Sequence, residues 1–191
     1  MKKISELSNY KYYIIELKNA FDNKDEEKFT QIFKQIESDF KTIRDEYYKK
    51  KISKYSSFFY NPLTEMRISS ECLSLEIKHN IKLYQISNLY SLNSKKQILL
   101  ERMLKILNYI RDNTRNSIMM SKEVYYPLLS EQLMLDEIQN ELDDLIKFYR
   151  IAKREDYTEG ITYVTNRIKE LNYTSIEDLT NKIDTKSLNQ S

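Results

Sequence analysis

One glycine, Gly160, stands in 191 residues, where average usage of about 7% would place roughly 13. Two prolines, Pro62 and Pro127, complete the list of strong chain breakers. Tight hairpins need residues that accept positive φ, so an all-β fold is excluded and few, long elements are expected. Gly-rich phosphate-binding loops are excluded with them. Cys72 is the only cysteine, which rules out an internal disulfide and a multi-cysteine zinc site and fits a reducing compartment. Tryptophan is absent, whereas 16 tyrosines and seven phenylalanines are present. No run approaches the 18 apolar residues of a membrane span, and the start, Met1-Lys-Lys-Ile-Ser-Glu-Leu-Ser-Asn-Tyr10, has no apolar core of a secretion signal. A cytoplasmic, nucleoid-associated protein with no membrane partner is expected. Lysine and arginine number 31 against 29 acids, and a net charge of +2 does not by itself argue for nucleic acid.

What is present reads as helix. Leu7, Tyr10, Tyr13, Ile14, Leu17 and Phe21 recur at helical spacing, so a first helix is expected from Ile4 to Phe21. Phe29, Ile32, Phe33, Ile36, Phe40, Ile43 and Tyr47 form a cleaner stripe that predicts a second, to about Tyr55. A third fits Glu65 to Tyr90, and a fourth Lys95 to Met120, with Ser94 as its cap. Ser130 is expected to cap a fifth, striped by Met134, Ile138, Leu142, Leu145, Ile146 and Tyr149. Beyond Lys153 the composition shifts. Ile161-Thr-Tyr-Val164 is β-prone, and Ser175-Ile-Glu-Asp178 resembles a capping box. The expected fold is therefore mainly α: a bundle of about five long helices over residues 1–155, a small appendage of short strand plus helix over 156–184, and a flexible tail over 185–191. No internal repeat is apparent, and Gly160 marks the expected boundary.

No catalytic set can be assembled from these residues. His79, the only histidine, follows Lys78 on the third helix, where a general base would need a partner and a pocket. It is expected to be structural, and Cys72, seven residues earlier, to be a core thiol. Asp25-Glu26-Glu27 suits a helix start, and Asp143-Asp144 a solvated flank. Neither a cofactor nor a metal is expected. Among the basic clusters, Lys49, Lys50, Lys51 and Lys54, interleaved with Tyr47, Tyr48, Tyr55 and Tyr60, could track a nucleic-acid backbone. Lys147, Arg150, Lys153 and Arg154 sit where they complement a helix C-terminus.

The segment Leu100-Glu-Arg-Met-Leu-Lys-Ile-Leu-Asn-Tyr-Ile-Arg-Asp-Asn-Thr-Arg-Asn-Ser-Ile118, then Leu129-Ser-Glu-Gln-Leu-Met-Leu-Asp-Glu-Ile138, then Leu142-Asp-Asp-Leu-Ile-Lys-Phe-Tyr-Arg150, resembles the helical domain of GINS subunits. The likeness covers about 55 residues. Arg111, Arg115 and Ile118 match its first helix, and Ser130, Glu131, Tyr149 and Arg150 its second. The order is that of the archaeal-type class with the helical domain first, and the β-rich second domain would be reduced or divergent, over Tyr157 to Leu179. The resemblance implies a non-catalytic scaffold in DNA replication: a hetero-oligomer of related subunits, a tetramer in that family, bridging the MCM helicase and a RecJ-like partner. Two alternatives stay open, a helical nucleic-acid-binding protein and a helical adaptor or regulator from a mobile element.

Overall fold

The computed structural model describes residues 10–55, 62–124 and 127–171, the side chains of 55, 62 and 121–134 excepted. Six helices occupy them: α1 (Tyr10–Asp22), α2 (Glu26–Tyr55), α3 (Pro62–Leu89), α4 (Asn93–Val124), α5 (Pro127–Arg154) and α6 (Thr158–Glu170). No strand occurs among the described residues, so the mainly α class holds. The expected strand is overturned. Ile161–Val164 is helical, because Gly160, Val164, Arg167 and Ile168 recur at helical spacing and bury one face of α6. Ser175–Asp178 and the tail lie outside the described residues.

Helix starts differ from expectation in an instructive way. Both prolines begin helices, Pro62 in α3 and Pro127 in α5. At a first helical position the missing N–H is one that would have no intrahelical acceptor, and φ is already set. The fifth helix thus starts three residues before Ser130, which lies inside it, and α4 starts at Asn93, so Ser94 is not its cap. Asp25 does open α2: its Oδ1 accepts from the Lys28 N–H at 2.9 Å, and Glu26 and Glu27 fill the first turn.

Three helices end without glycine, by one device. Lys24, Ser91 and Asp156 take left-handed φ values of 56°, 54° and 52°. In each case the next N–H reaches back to a carbonyl five residues earlier: Asp25 to Ala20, Leu92 to Ser87 and Tyr157 to Ala152, each at 2.8 Å. These are Schellman closures, which normally place glycine at the left-handed position. Ala20, Ser87 and Ala152 are small and buried, which lets the incoming chain turn over them.

That recurrence exposes an internal repeat that the sequence did not show. Pro62 and Pro127 lie 65 residues apart, and the same 65 separates Leu89 from Arg154, Ser91 from Asp156 and Asn93 from Thr158. In this register Ile81-Lys-Leu-Tyr-Gln-Ile-Ser87 falls on Ile146-Lys-Phe-Tyr-Arg-Ile-Ala152, identical at four of seven positions. The first turn joins at an offset of 67, placing Ala20 on Ser87 and the buried Ile36 on the buried Met103. The same turn thus joins α1 to α2, α3 to α4 and α5 to α6, and α1 packs on α2 and α5 on α6.

By its internal contacts the chain divides into two compact units, Met1–Leu99 and Leu100–Ser191, with the division inside α4. In the first, α1 lays Leu17 and Ala20 into the core, and the Tyr13 hydroxyl donates to Asp39 of α2 at 2.6 Å. Along α2 and α3, Phe40 lies flat on His79 at 4.1 Å, and Arg44–Glu76 and Lys51–Glu71 pair at 2.7 Å each. These partners descend in α3 as they ascend in α2, so the two helices run antiparallel. Phe21, Phe29 and Tyr90 close one end, with ring centroids 4.8 to 6.4 Å apart. In the second unit Leu142, Leu145 and Phe148 of α5 and Val164 and Ile168 of α6 are buried. Burying such side chains contributes about 1.5–3 kcal/mol each.

Candidate functional site

The lysine cluster is only partly available to a ligand. Lys49, Lys50 and Lys54 project to solvent from the last turns of α2. Lys51 is engaged: its Nζ sits 2.7 Å from Glu71 of α3 and 5.2 Å from the centre of the Tyr47 ring, while the Tyr47 hydroxyl donates to the same carboxylate at 2.6 Å. The hydrogen bond to Glu71 holds the Lys51 ammonium well above its ordinary pKa. One of the four expected contacts is therefore a helix–helix clamp.

Beside it, Arg44, Asp45, Tyr48, Lys49 and Cys72 line a shallow groove of about 260 Å³. That is below the size of typical small-molecule sites. Arg44 is held between Glu76 at 2.7 Å and Asp45 at 3.1 Å. Burial, and next the nearby Glu71 carboxylate, push the Cys72 thiol up to about 11, so it is protonated at neutral pH and is no nucleophile. His79 is buried against Phe40.

The positions that carry the family resemblance lie on α4 and α5. Arg111 pairs with its neighbour Asp112 at 3.0 Å, and Arg115 with Glu170 of α6 at 2.8 Å. Ile118 is half-buried. Ser130 and Glu131 fall in the early turns of α5, where side chains are outside the described residues. Tyr149 is half-buried, with Lys153 Nζ 5.7 Å from its ring centre, and Arg150 is exposed. Arg111 and Arg115 are thus tied into pairs, and Arg150 faces solvent.

One buried polar arrangement was not legible in the sequence. Arg167 of α6 forks onto Glu141 of α5, Nε to Oε1 at 2.6 Å and Nη2 to Oε2 at 3.0 Å, with both side chains nearly fully buried. Its Nη1 reaches Glu170 Oε2 at 2.9 Å, and Glu170 also receives Arg115. The chain of charges from Glu141 through Arg167 and Glu170 to Arg115 links α5, α6 and α4. Both Glu141 oxygens accept from one rigid guanidinium, which makes it a poor general base. Close by, burial first of all pushes the Tyr163 phenol up to about 12, and its hydroxyl has no hydrogen-bond partner. Asp144, expected on a solvated flank, is instead buried, with Lys147 Nζ at 3.7 Å. It shares one face of α5 with Glu137 and Glu141, because 137, 141 and 144 step by four and three.

Among the described residues no group of three or more His, Cys, Asp or Glu side chains is placed to hold a metal ion, and no helix is long and apolar enough to cross a membrane. Large apolar side chains do stand outward: Tyr12, Ile15, Phe21, Leu89, Ile98, Tyr109, Met119 and Leu135 are each more than half exposed. No family model matches the chain, and neither a curated protein nor a solved structure matches it.

Proposed function

We propose that the chain is a non-catalytic scaffold that works by presenting helical faces to other protein subunits. The supporting observation is a division of labour among its side chains. Groups with chemical capability are used inside the fold: Glu141 with Arg167, Lys51 with Glu71, Arg44 with Glu76, and Cys72 held as a thiol. Aromatic and aliphatic groups such as Tyr12, Ile15, Tyr109 and Met119 are left on outer faces, where their exposure has a cost that an interface removes. In its specific form this is a GINS-like replication subunit in a hetero-oligomer of related chains, bridging an MCM helicase and a RecJ-like protein. The resemblance over α4 and α5 is the ground for that form. The deciding experiment is light scattering on the purified chain, alone and mixed with a purified GINS-type subunit and then with an MCM ring. A defined complex that survives chromatography is expected, and a chain that stays monomeric with every partner ends the scaffold reading.

A second reading has its own observation, since Lys49, Lys50 and Lys54 are exposed together at the end of α2. Binding of a labelled oligonucleotide should then weaken by orders of magnitude between about 50 and 200 mM salt. Reversing the charge of all three lysines should abolish it, and unchanged binding clears the cluster.

A further inference from the structure

The arginines of this chain divide into two groups. Eight are present, and six of them are engaged: Arg44 with Glu76, Arg111 with Asp112, Arg115 with Glu170, Arg167 with Glu141, and Arg67 and Arg102 in interactions of their own. The other two, Arg150 and Arg154, are exposed near the end of α5 and have no carboxylate partner among the described residues. They stand one turn apart, about 6 Å along the axis, with the exposed Lys153 beside them, so three cations share an arc of about 100°. Lys147 is close to the same arc, but Asp144 at 3.7 Å answers its charge. Beyond the helix end Glu155 is half-buried and engaged, which leaves Asp156 as the exposed acid of the turn.

Neither the helix nor its end calls for these cations. Like charges at i and i+4 disfavour a helix. α1 and α3 close by the same left-handed turn, with the same 2.8 Å return bond, and have no basic residue in their last turns. In the 65-residue register, Gln85, Asn88 and Leu89 of α3 stand where α5 has Arg150, Lys153 and Arg154. A neutral version of the same helix end therefore exists within this chain, so the charge at α5 does not serve the turn.

Anion density chooses the partner. Three cations within about 6 Å of helix need anions set as closely, and arginine's planar fork suits phosphate. A nucleic-acid strand carries one phosphate per about 3.4 Å of axis, a fixed spacing that an acidic protein surface lacks. We propose that Arg150, Lys153 and Arg154 form a site for the phosphodiester backbone of nucleic acid, bound without regard to base sequence. The site is separate from the α2 lysines. It extends the nucleic-acid reading to a second place on the chain and leaves the scaffold reading untouched.

Fluorescence anisotropy of a labelled single-stranded oligonucleotide, with the full chain at up to about 100 µM and salt from about 50 to 200 mM, covers the usual range of sequence-independent binding. Three phosphate contacts, at about 0.7 each on a single strand, predict a log K that falls with log salt at a slope of about 2. Arg150→Gln with Lys153→Gln and Arg154→Gln should remove that part of the slope and weaken binding at least tenfold at the lowest salt. Arg150→Lys with Arg154→Lys keeps the charge and should keep the slope. Glutamine and lysine are good helix formers, and unchanged circular dichroism would show that both variants fold. A glutamine variant that binds like the wild type overturns the site. So does poly-glutamate that displaces the strand equally well at equal charge, since the anion would then be a carboxylate chain. If the glutamine variant binds normally while charge reversal of Lys49, Lys50 and Lys54 abolishes binding, this inference falls and the α2 reading stands; a chain that binds nothing at about 50 mM salt loses both.

Discussion

Replacing the single glycine should destabilise the chain, although glycine to alanine inside a helix ordinarily stabilises it by about 1 kcal/mol. A Cβ on Gly160 would lie 2.6 Å from Tyr157 Cδ1 and 2.9 Å from both Cε1 and Cζ of Phe148. Carbon atoms in good contact sit about 3.5–4.0 Å apart, so the methyl group must push both rings by the better part of an ångström. Tyr157 has room, being half-buried at the start of α6. Phe148 has none: it is fully buried, edge-on to Tyr157 with centroids 6.4 Å apart. Forcing a methylene-sized group into a packed site costs about 1–3 kcal/mol, which exceeds the helix gain near its middle and leaves Gly160→Ala less stable by about 1–2 kcal/mol. For a chain of this length that is a Tm lowered by roughly 2–8 °C, read by circular dichroism. Phe148→Leu supplies the control. It opens the space opposite the new methyl group, so Gly160→Ala should cost less in that background than in the wild type. A Tm equal to or above the wild type for the single variant would refute the packing account.

Glycine at the three left-handed helix ends should do the reverse. Lys24→Gly and Ser91→Gly each remove a conformational cost of about 1–2 kcal/mol while adding about 0.5–1 kcal/mol of chain entropy, for a net gain of roughly 0.5–1 kcal/mol in urea melts. Asp156→Gly should gain least, because aspartate tolerates this region better than lysine or serine. For the buried pair, Arg167→Met and Glu141→Leu should each cost about 3–5 kcal/mol by stranding a charge, whereas the double variant should recover most of the loss. Additive costs in that cycle would show that the two side chains do not act as a pair. Cys72, protonated and buried, should react with iodoacetamide at pH 8 far more slowly than in urea-unfolded chain, and equal rates would contradict its placement.

The helices were legible because their signal is local and repeated. The stripe of Phe29, Phe33, Ile36 and Phe40 recurs every turn, and each of the four is buried. What failed depended on partners far along the chain. Ile161-Thr-Tyr-Val164 has the β-branched composition of a strand, yet Val164 and Ile168 meet α5 only if the segment is helical, and packing outweighs propensities of a few tenths of a kcal/mol. Arg167 and Glu141 look like surface residues by type, and nothing at either position reveals that the other lies 26 residues away in sequence and 2.6 Å away in space. Lys51 misleads in the opposite sense, since a cluster of lysines has the same appearance whether it is solvated or clamped to Glu71.

The repeat was hidden for a different reason. Helical stripes make any two amphipathic segments look alike, so the four identities between Ile81–Ser87 and Ile146–Ala152 stand out only once the register is known. What fixes that register is backbone geometry at Ser91 and Asp156, two residues of unlike chemistry in one conformation. Glycine there would have marked the turns in the sequence; its absence concealed them. The one glycine retained is needed for a close approach rather than for a turn, because at Gly160 two rings occupy the space of a side chain. Scarcity of glycine therefore does not make the helix ends of this chain irregular. It places a modest conformational cost at each of three turns, offset by a closure that lets α1, α3 and α5 pass into the next helix within four residues.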